Sequence, residues 1–152
     1  MNNIPLKVDF MWLEHGKDLQ MPKCQSKGAA GLDICAAIPK GQILAIKPKK
    51  IVMVPAGFSI ALPHFYEAQI RPRSGLAAKH GVTVLNSPGT IDCDYRGEVK
   101  ILLINHGEKD FIIKRGDRIA QMVIAPVSVV EFELKEKLDK TKRAEGGFGS
   151  TG

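Results

Sequence analysis

The side chains best suited to chemistry lie close together in residues 89–97, which carry two carboxylates, one phenol and one guanidinium between two glycines. Glycine lets a backbone turn sharply or approach a ligand closely, because it has no Cβ. On an extended chain, Asp92 and Asp94 would share one face and Tyr95 would point to the other, unless a turn intervenes. Taken alone, an ordinary polar turn explains this stretch slightly better than a functional site does.

A second stretch, residues 71–75, has the composition of a phosphate-binding segment. It joins two arginines to Ser74 and to the N–H groups at the start of an expected helix. Guanidinium groups bind oxygen atoms in pairs, and the positive end of a helix dipole favours an anion. An ordinary turn with Ser74 as the helix cap accounts for the same residues equally well.

Three further stretches combine glycine with charged or hydroxyl groups. Residues 30–34 place Asp33 at the mouth of a strand, and residues 116–122 open a strand after a tight turn. For each of these two stretches, an ordinary turn is a simpler explanation than a functional site. The tail from Arg143 is rich in glycine and is most simply a linker. It also carries a cation, two hydroxyls and a lone Phe148, which a lid over a nucleotide phosphate would require.

Histidines and cysteines offer little chemistry in this sequence. The four histidines fall in loops, in a turn and at a helix end, and no triad-like pattern includes them. Three cysteines without a Cys-x-x-Cys pair indicate neither a disulfide framework nor a zinc site. Reduced thiols fit best, and a catalytic Cys93 is disfavoured because nothing in the sequence indicates a lowered thiol pKa.

The elements that must position these residues are mostly strands. Apolar runs at 82–85 and 99–104 flank the polar stretch and predict a long hairpin that carries it at the tip. Two Pro-x-Gly turns, at 38–41 and 54–57, predict two more hairpins. One short helix is expected at 76–80, ended by Gly81. Alternating or apolar runs predict further strands at 6–12, 32–37, 51–54, 58–62, 65–71, 110–114, 118–125 and 127–134.

With 15 glycines and 9 prolines in 152 residues, this pattern predicts one all-β domain, a barrel or jelly roll of about ten strands. The net charge of +6 fits a polyphosphate ligand better than nucleic acid, since aromatics are only 6% and the basic residues are dispersed. We expect no membrane span, because no apolar run approaches ~18 residues. The first twelve residues do not resemble a signal peptide, so a cytoplasmic location is expected.

In their order and spacing, the five stretches resemble the five motifs of the homotrimeric dUTP diphosphatase (dUTPase) family. The matching residues are 30–33, 72–75, 89–97, 116–121 and 143–150. The resemblance implies a distorted jelly roll assembled as a homotrimer, with active sites shared between subunits. It implies a domain at 1–142 and a flexible arm at 143–152 that closes over the site. The implied reaction is magnesium-assisted hydrolysis of dUTP to dUMP and diphosphate, which keeps uracil out of DNA and supplies dUMP for thymidylate synthesis.

Roles follow from the resemblance residue by residue. Asp92 is the expected general base, Tyr95 the group that excludes a ribose, and Phe148 the ring that stacks on uracil. Asp33 is expected to reach the Mg²⁺ through water, with substrate phosphates as the other ligands. The expected substrate contacts are Arg73, Ser74, Gly75, Asn86, Gly89, Thr90, Ile91, Tyr95, Lys100, Gln121, Arg143, Phe148, Gly149, Ser150 and Thr151.

Two alternatives remain open at this stage. A dCTP deaminase shares the architecture and would release ammonia from dCTP. A nucleotide-sensing or nucleic-acid-binding module would keep the pocket without hydrolysing the ligand, although Asp92, Tyr95 and the complete tail argue against it.

Overall fold

In the computed structural model, which describes residues 5–147, the chain forms eleven short strands, one α-helix and one 3-10 helix. The strands are β1 Asp9–Trp12, β2 Leu32–Cys35, β3 Ile43–Ile46, β4 Ile51–Pro55, β5 Phe58–Ala61, β6 Tyr66–Arg71, β7 Val82–Val84, β8 Gly89–Ile91, β9 Lys100–Asn105, β10 Phe111–Lys114 and β11 Arg118–Pro126. The α-helix, α1, is Ser74–His80, and the 3-10 helix is Glu14–Gly16. The predicted class, mostly β with one short helix, is confirmed.

The strands pair in antiparallel fashion in four groups. One sheet has the order β2-β11-β6-β8, a second has the order β4-β9-β7, and β1 pairs β5 while β3 pairs β10. Neighbouring side chains on a strand point to opposite faces, so each strand sends alternate residues inward. In β9, Ile101 and Leu103 are fully buried, and Leu102 between them is half-buried. The apolar alternation in the sequence therefore produces one shared core.

Asn105 is one of two buried polar residues in the described part of the chain, with Ser59, and its hydrogen bonds explain how it is tolerated. Its amide donates to Ile46 O at 2.7 Å and to Lys109 O at 2.8 Å, and it accepts from Gly107 N–H at 2.8 Å. A buried amide with these partners avoids the cost of an unsatisfied polar group. Asn105 thereby joins the end of β9 to β3 and to the turn that follows.

The long hairpin predicted around the polar stretch is present, with one addition. β7 and β9 pair in the register Val82↔Asn105, Thr83↔Ile104 and Val84↔Leu103. Between them the chain leaves this sheet as β8, which pairs with β6 of the four-stranded sheet. The polar stretch is therefore held by two sheets and not only by the hairpin strands.

The two predicted Pro-x-Gly hairpins are wrong. The turn at 38–41 joins β2, which pairs with β11, to β3, which pairs with β10. The turn at 54–57 joins β4 to β5, and these pair with β9 and β1. Gly41 and Gly57 both have φ +75°, so the turns themselves form. A turn sets the local reversal, whereas the pairing partner is decided by core packing elsewhere.

The strand predicted at 127–134 is also wrong, since no described strand includes these residues. Their apolar side chains point to solvent, with Val129 79% exposed, Phe132 94% and Leu134 98%. A strand needs a neighbour for its N–H and C=O groups, and none of the described strands pairs with this segment.

The helix prediction holds at one end and fails at the other. Gly81 ends α1 as predicted, with φ +66°, and its N–H bonds to Ala77 O and Leu76 O. Ser74 is the first helical residue and not the cap, a position that Arg73 takes without a side-chain capping bond. No helix in the part of the chain that the structure describes has the length and apolar character of a membrane span.

Candidate active site

A cleft of about 280 Å³ lies at the end of β8, and we call it the hairpin cleft. Its lining residues are Met53, Thr90, Ile91, Asp92, Tyr95, Glu98, Val99 and Lys100. Tyr95 N–H donates to Asp92 O at 3.1 Å, so a turn begins as soon as β8 ends. The turn overrides strand alternation, and Asp92 therefore shares the cleft with Tyr95 rather than with Asp94.

Two carboxylates line the hairpin cleft, and they differ in their partners. Glu98 Oε1 accepts a hydrogen bond from Gly57 N–H at 3.0 Å and lies 2.6 Å from His15 Nε2. Among residues 5–147, no side-chain hydrogen bond or ion pair engages the exposed carboxylate of Asp92. Asp92 is therefore the carboxylate whose oxygens are available to a water molecule.

Tyr95 is held over the loop that follows it. Its phenol donates to Glu98 O at 3.0 Å. A Cβ on Gly97 would lie 2.3 Å from the phenol oxygen, so only glycine permits this ring position. Arg96 donates to Cys93 O at 2.7 Å and to Tyr95 O at 2.8 Å. The ring thus stands at the cleft in a defined orientation, with 45% of the residue exposed.

A second cleft, of about 260 Å³, lies between β2, β11 and the start of α1, and we call it the arginine cleft. Its lining residues are Gln25, Ala29, Gly31, Asp33, Arg73, Ser74, Gly75, Arg118 and Gln121. Residues from three of the stretches singled out in the sequence therefore meet here, because β2 and β11 are adjacent and α1 begins beside them.

One carboxylate braces the two cations of the arginine cleft. Asp33 Oδ1 accepts from Arg73 Nε at 3.2 Å, and its Oδ2 accepts from Arg118 Nη1 at 3.0 Å. Arg73 Nη1 also donates to Arg118 O at 2.9 Å. Two guanidinium charges against one carboxylate leave the cleft positive, beside helix N–H groups without a side-chain cap. Such a cleft suits an anion with several oxygens.

Gln121 joins the two halves of the arginine cleft. Its amide donates to Pro72 O at 2.9 Å, which ties β11 to the loop before α1. A Cβ on Gly31 would lie 2.0 Å from Gln121 Oε1, so the glycine at this position makes room for the amide.

The described residues do not form a metal-binding cage of their own. Within residues 5–147 no three His, Cys, Asp or Glu side chains are grouped as metal ligands. Both oxygens of Asp33 are engaged by arginines. Mg²⁺ commonly keeps several waters and binds through substrate phosphates, and this donor set fits that mode only. The metal role expected for Asp33 stays a prediction.

Other expected site residues lie outside the two clefts. The Asn86 amide nitrogen is 3.2 Å from where a Cβ on Gly89 would lie, so it packs against β8. Arg143 Nε donates to Gly146 O at 2.7 Å and lines neither cleft. Cys93 packs half-buried against the core, as a structural thiol does. Four expected contacts lie beyond the described residues, and they are Phe148, Gly149, Ser150 and Thr151.

The two clefts share no lining residue and lie on opposite sides of β6. Gln121 pairs with Arg71 of β6, whereas Ile91 pairs with Ala68. Three residues along a strand and two strand spacings across the sheet separate Gln121 from Ile91 by roughly 14 Å. Within one chain, the cleft that holds Asp92 does not open onto the arginines.

Sequence reasoning missed Arg118 and Glu98, which line these clefts, and His15, which contacts Glu98 from outside them. Arg118 lies in the stretch 116–122, and its position at the start of β11 could have indicated that it belongs to the site. Glu98 had the form of an ordinary solvent-facing residue, and His15 had the form of an incidental loop histidine. Both owe their position to contacts across the fold, 83 residues apart in sequence, which no local pattern reveals.

Both comparisons of the sequence with known proteins find dUTPases. A family model described as dUTPase matches residues 17–152. The deoxyuridine 5'-triphosphate nucleotidohydrolase of Maricaulis maris (strain MCS10) is 49% identical over 152 residues, which are 100% of this chain and 99% of the relative.

Solved structures agree. The Staphylococcus bacteriophage 80alpha dUTPase with dUPNHPP superposes with a TM-score of 0.84 at 25% identity, covering 96% of this chain and 98% of that chain. The dUTPase from phage phi11 of S. aureus has a TM-score of 0.75 at 21% identity, covers 89% and 99%, and supports the fold alone.

Proposed function

The chain belongs to the dUTPase family, and we propose that it hydrolyses dUTP to dUMP and diphosphate by attack of water on the α-phosphorus. The observation that carries the proposal is the arrangement of the hairpin cleft. There the unengaged carboxylate of Asp92 and the braced ring of Tyr95 line one cavity of nucleoside-compatible size.

Asp92 is the proposed general base in this reaction. It accepts a proton from the attacking water as the new P–O bond forms, and the bond between the α-phosphorus and the bridging oxygen breaks to release diphosphate. A carboxylate held at the end of a paired strand suits this role, because the acceptor must be positioned before it can act. Alignment of water and phosphorus, together with neutralisation of the triphosphate charge, supplies most of the acceleration.

The nucleoside is proposed to occupy the hairpin cleft. Tyr95 lies against the deoxyribose and leaves no room for a 2′-hydroxyl. The backbone of Gly89, Thr90 and Ile91 reads the edge of uracil, with the Asn86 amide beside it. Lys100 lines the same cleft and adds a cation at its rim.

The triphosphate is proposed to lie against an arginine cleft. Arg73 and Gln121 contact phosphate oxygens, and Ser74 with Gly75 offers N–H groups at the start of α1. Arg118 joins this set because it shares the Asp33 brace with Arg73. Mg²⁺ would be carried by the phosphates and would neutralise part of their charge, with Asp33 reaching it only through water.

A homotrimer with shared active sites is proposed from the family resemblance, and the separation of the two clefts supports it. Gln121 of one cleft and Ile91 of the other lie roughly 14 Å apart across β6, and the two clefts share no lining residue, so we propose that different chains hold the nucleoside and the triphosphate of one substrate. In this arrangement, a hairpin cleft from one subunit would face an arginine cleft from another. The exposed apolar side chains at 127–134 support assembly, because an apolar strip of this kind marks a contact surface.

The arm at 143–152 is proposed to close the site from a third subunit. Arg143, Ser150 and Thr151 would meet the phosphates, Phe148 would stack on uracil, and Gly149 would let the backbone approach closely.

Release of diphosphate from dUTP, UTP and the four standard deoxynucleoside triphosphates is the direct test. We expect turnover of dUTP far above the rest, and loss of at least about a hundredfold in kcat for Asp92→Asn with binding of dUTP retained. Near-normal kcat in that variant would remove Asp92 from the role of base. Ammonia release from dCTP would indicate a deaminase, and binding of dUTP without hydrolysis would indicate a sensor.

A further inference from the structure

Glu98 has no role in the proposed reaction, yet it contacts three separate parts of the fold. It lines the hairpin cleft, yet its side chain is only 15% exposed and its oxygen Oε1 meets two groups from other parts of the fold. Its own backbone carbonyl accepts the phenol of Tyr95. One residue therefore connects the proposed sugar-excluding ring to distant structure.

The first connection runs to the turn between β4 and β5. Gly57 has φ +75°, and its N–H points to Glu98 Oε1 at 3.0 Å. The flanking Val99 is paired on both sides of this turn, with Val99 N–H on Phe58 O at 2.9 Å and Ala56 N–H on Val99 O at 3.0 Å. The Glu98 carboxylate therefore accepts the N–H of Gly57, the residue at which this turn has its positive φ.

The second connection runs to the 3-10 helix. His15 Nε2 lies 2.6 Å from the same Glu98 oxygen. The helix is pressed against the turn, since a Cβ on Gly16 would lie 2.1 Å from Gly57 O, and Leu13 N–H donates to that same oxygen at 2.9 Å. Close packing of this kind fixes the backbone beside His15, while its side chain is 44% exposed and meets Glu98 from the solvent side.

We infer that Glu98 and His15 are positioning residues that hold Tyr95 in the orientation needed to tell deoxyribose from ribose. His15 and Gly57 fix the Glu98 side chain, and the Glu98 backbone then fixes the phenol. His15 does not line the cleft, so it acts only through Glu98. The inference rests on the proposed function, in which Tyr95 excludes the 2′-hydroxyl.

The test measures kcat/KM for dUTP and for UTP in wild type and in variants at both positions. Glu98→Ala is expected to lower the dUTP/UTP ratio about tenfold, and His15→Ala about threefold, chiefly because UTP turnover rises. Glu98→Gln keeps a hydrogen-bond acceptor at its position, and His15→Gln keeps a donor at its own. In both variants the dUTP/UTP ratio should stay within about twofold of the wild-type ratio. Glu14→Ala is the matched control, because Glu14 belongs to the same helix and pairs with Lys17 instead.

The ratio separates positioning from general damage. A purely structural loss lowers turnover of both nucleotides together and leaves their ratio unchanged, which would overturn the inference. The double variant should match Glu98→Ala alone, since His15 works through Glu98. A changed ratio in Glu98→Ala with a wild-type ratio in His15→Ala would mean that Glu98 acts without His15, and this also overturns the inference.

Two further readouts keep the outcomes distinct. Thermal melting of each variant reports folding, and His15→Ala remains informative if Glu98→Ala does not fold. Absence of dUTP hydrolysis in the wild type would refute the proposed function. Hydrolysis with a strong preference for dUTP, unchanged in His15→Ala, would refute only the positioning role.

Discussion

Replacing Gly31 by alanine is a small change that should disturb the arginine cleft. The new Cβ would lie 2.0 Å from Gln121 Oε1 and 3.0 Å from its Cδ, so the amide must move. Moving it breaks the hydrogen bond from Gln121 to Pro72 O, which is 2.9 Å long. A lost hydrogen bond costs about 1 kcal/mol, and a displaced rotamer costs about as much again. We expect about 2 kcal/mol of destabilisation.

This energy has two measurable consequences for Gly31→Ala. For a chain of this length, about 2 kcal/mol lowers the melting temperature by roughly 4–8 °C when protein concentrations are matched. If Gln121 contacts the triphosphate, kcat/KM for dUTP should fall about tenfold or more. Gly28→Ala is the matched control, because a Cβ there meets nothing within 4 Å.

A double-mutant cycle identifies the clash as the cause. In Gln121→Ala the amide is absent, so adding Gly31→Ala should cost little further stability, and the coupling energy should approach the full cost of Gly31→Ala, about 2 kcal/mol. Activity should stay low in the double variant, because the amide itself is gone. A wild-type melting temperature for Gly31→Ala, or strictly additive effects in the cycle, would refute the steric argument.

Two other outcomes test separate parts of the proposed function, and a third tests the burial of a thiol. Tyr95→Ala should narrow the dUTP/UTP preference at least about tenfold, and an unchanged ratio would mean that the ring is not the sugar gate. Deletion of 143–152 should reduce kcat/KM about a hundredfold or more while sedimentation still reports a trimer; normal turnover would make the tail a mere linker. Cys24 should react with a thiol reagent at pH 8 well before Cys35, because burial, with Asp33 nearby, raises the pKa of the Cys35 thiol and leaves less thiolate. Equal rates of labelling would contradict that shift.

Local pairings were predictable from the sequence, and distant ones were not. The β7–β9 hairpin could be inferred because two apolar runs flank one polar stretch. Nothing local indicates that β8 leaves this hairpin for β6, or that β5 pairs with β1 instead of β4. These choices depend on which faces meet in the core, and a turn motif such as that at 54–57 carries no information about them.

The candidate site divides in the same way. Residue types and order were enough to single out Asp92, Tyr95 and Arg73, because each lies in a compact motif. The partners that hold them were not visible, since Glu98 and Arg118 take their roles from contacts across the fold. The alternating apolar residues at 127–134 have the composition of a strand. The prediction is nevertheless wrong, because none of the described strands pairs with this segment.

The place of β11 in the four-stranded sheet has a consequence for synthesis on the ribosome. This strand lies between β2 and β6, although it is the last described strand to emerge. When β2 leaves the ribosome, its partner strand β11 has not yet been synthesised. β2 therefore stays unpaired until the residues from 118 onward have emerged. Pairings of such long sequence separation form slowly, so the early strands stay exposed during translation. Truncation before β11 should therefore give chains that aggregate instead of a smaller folded domain.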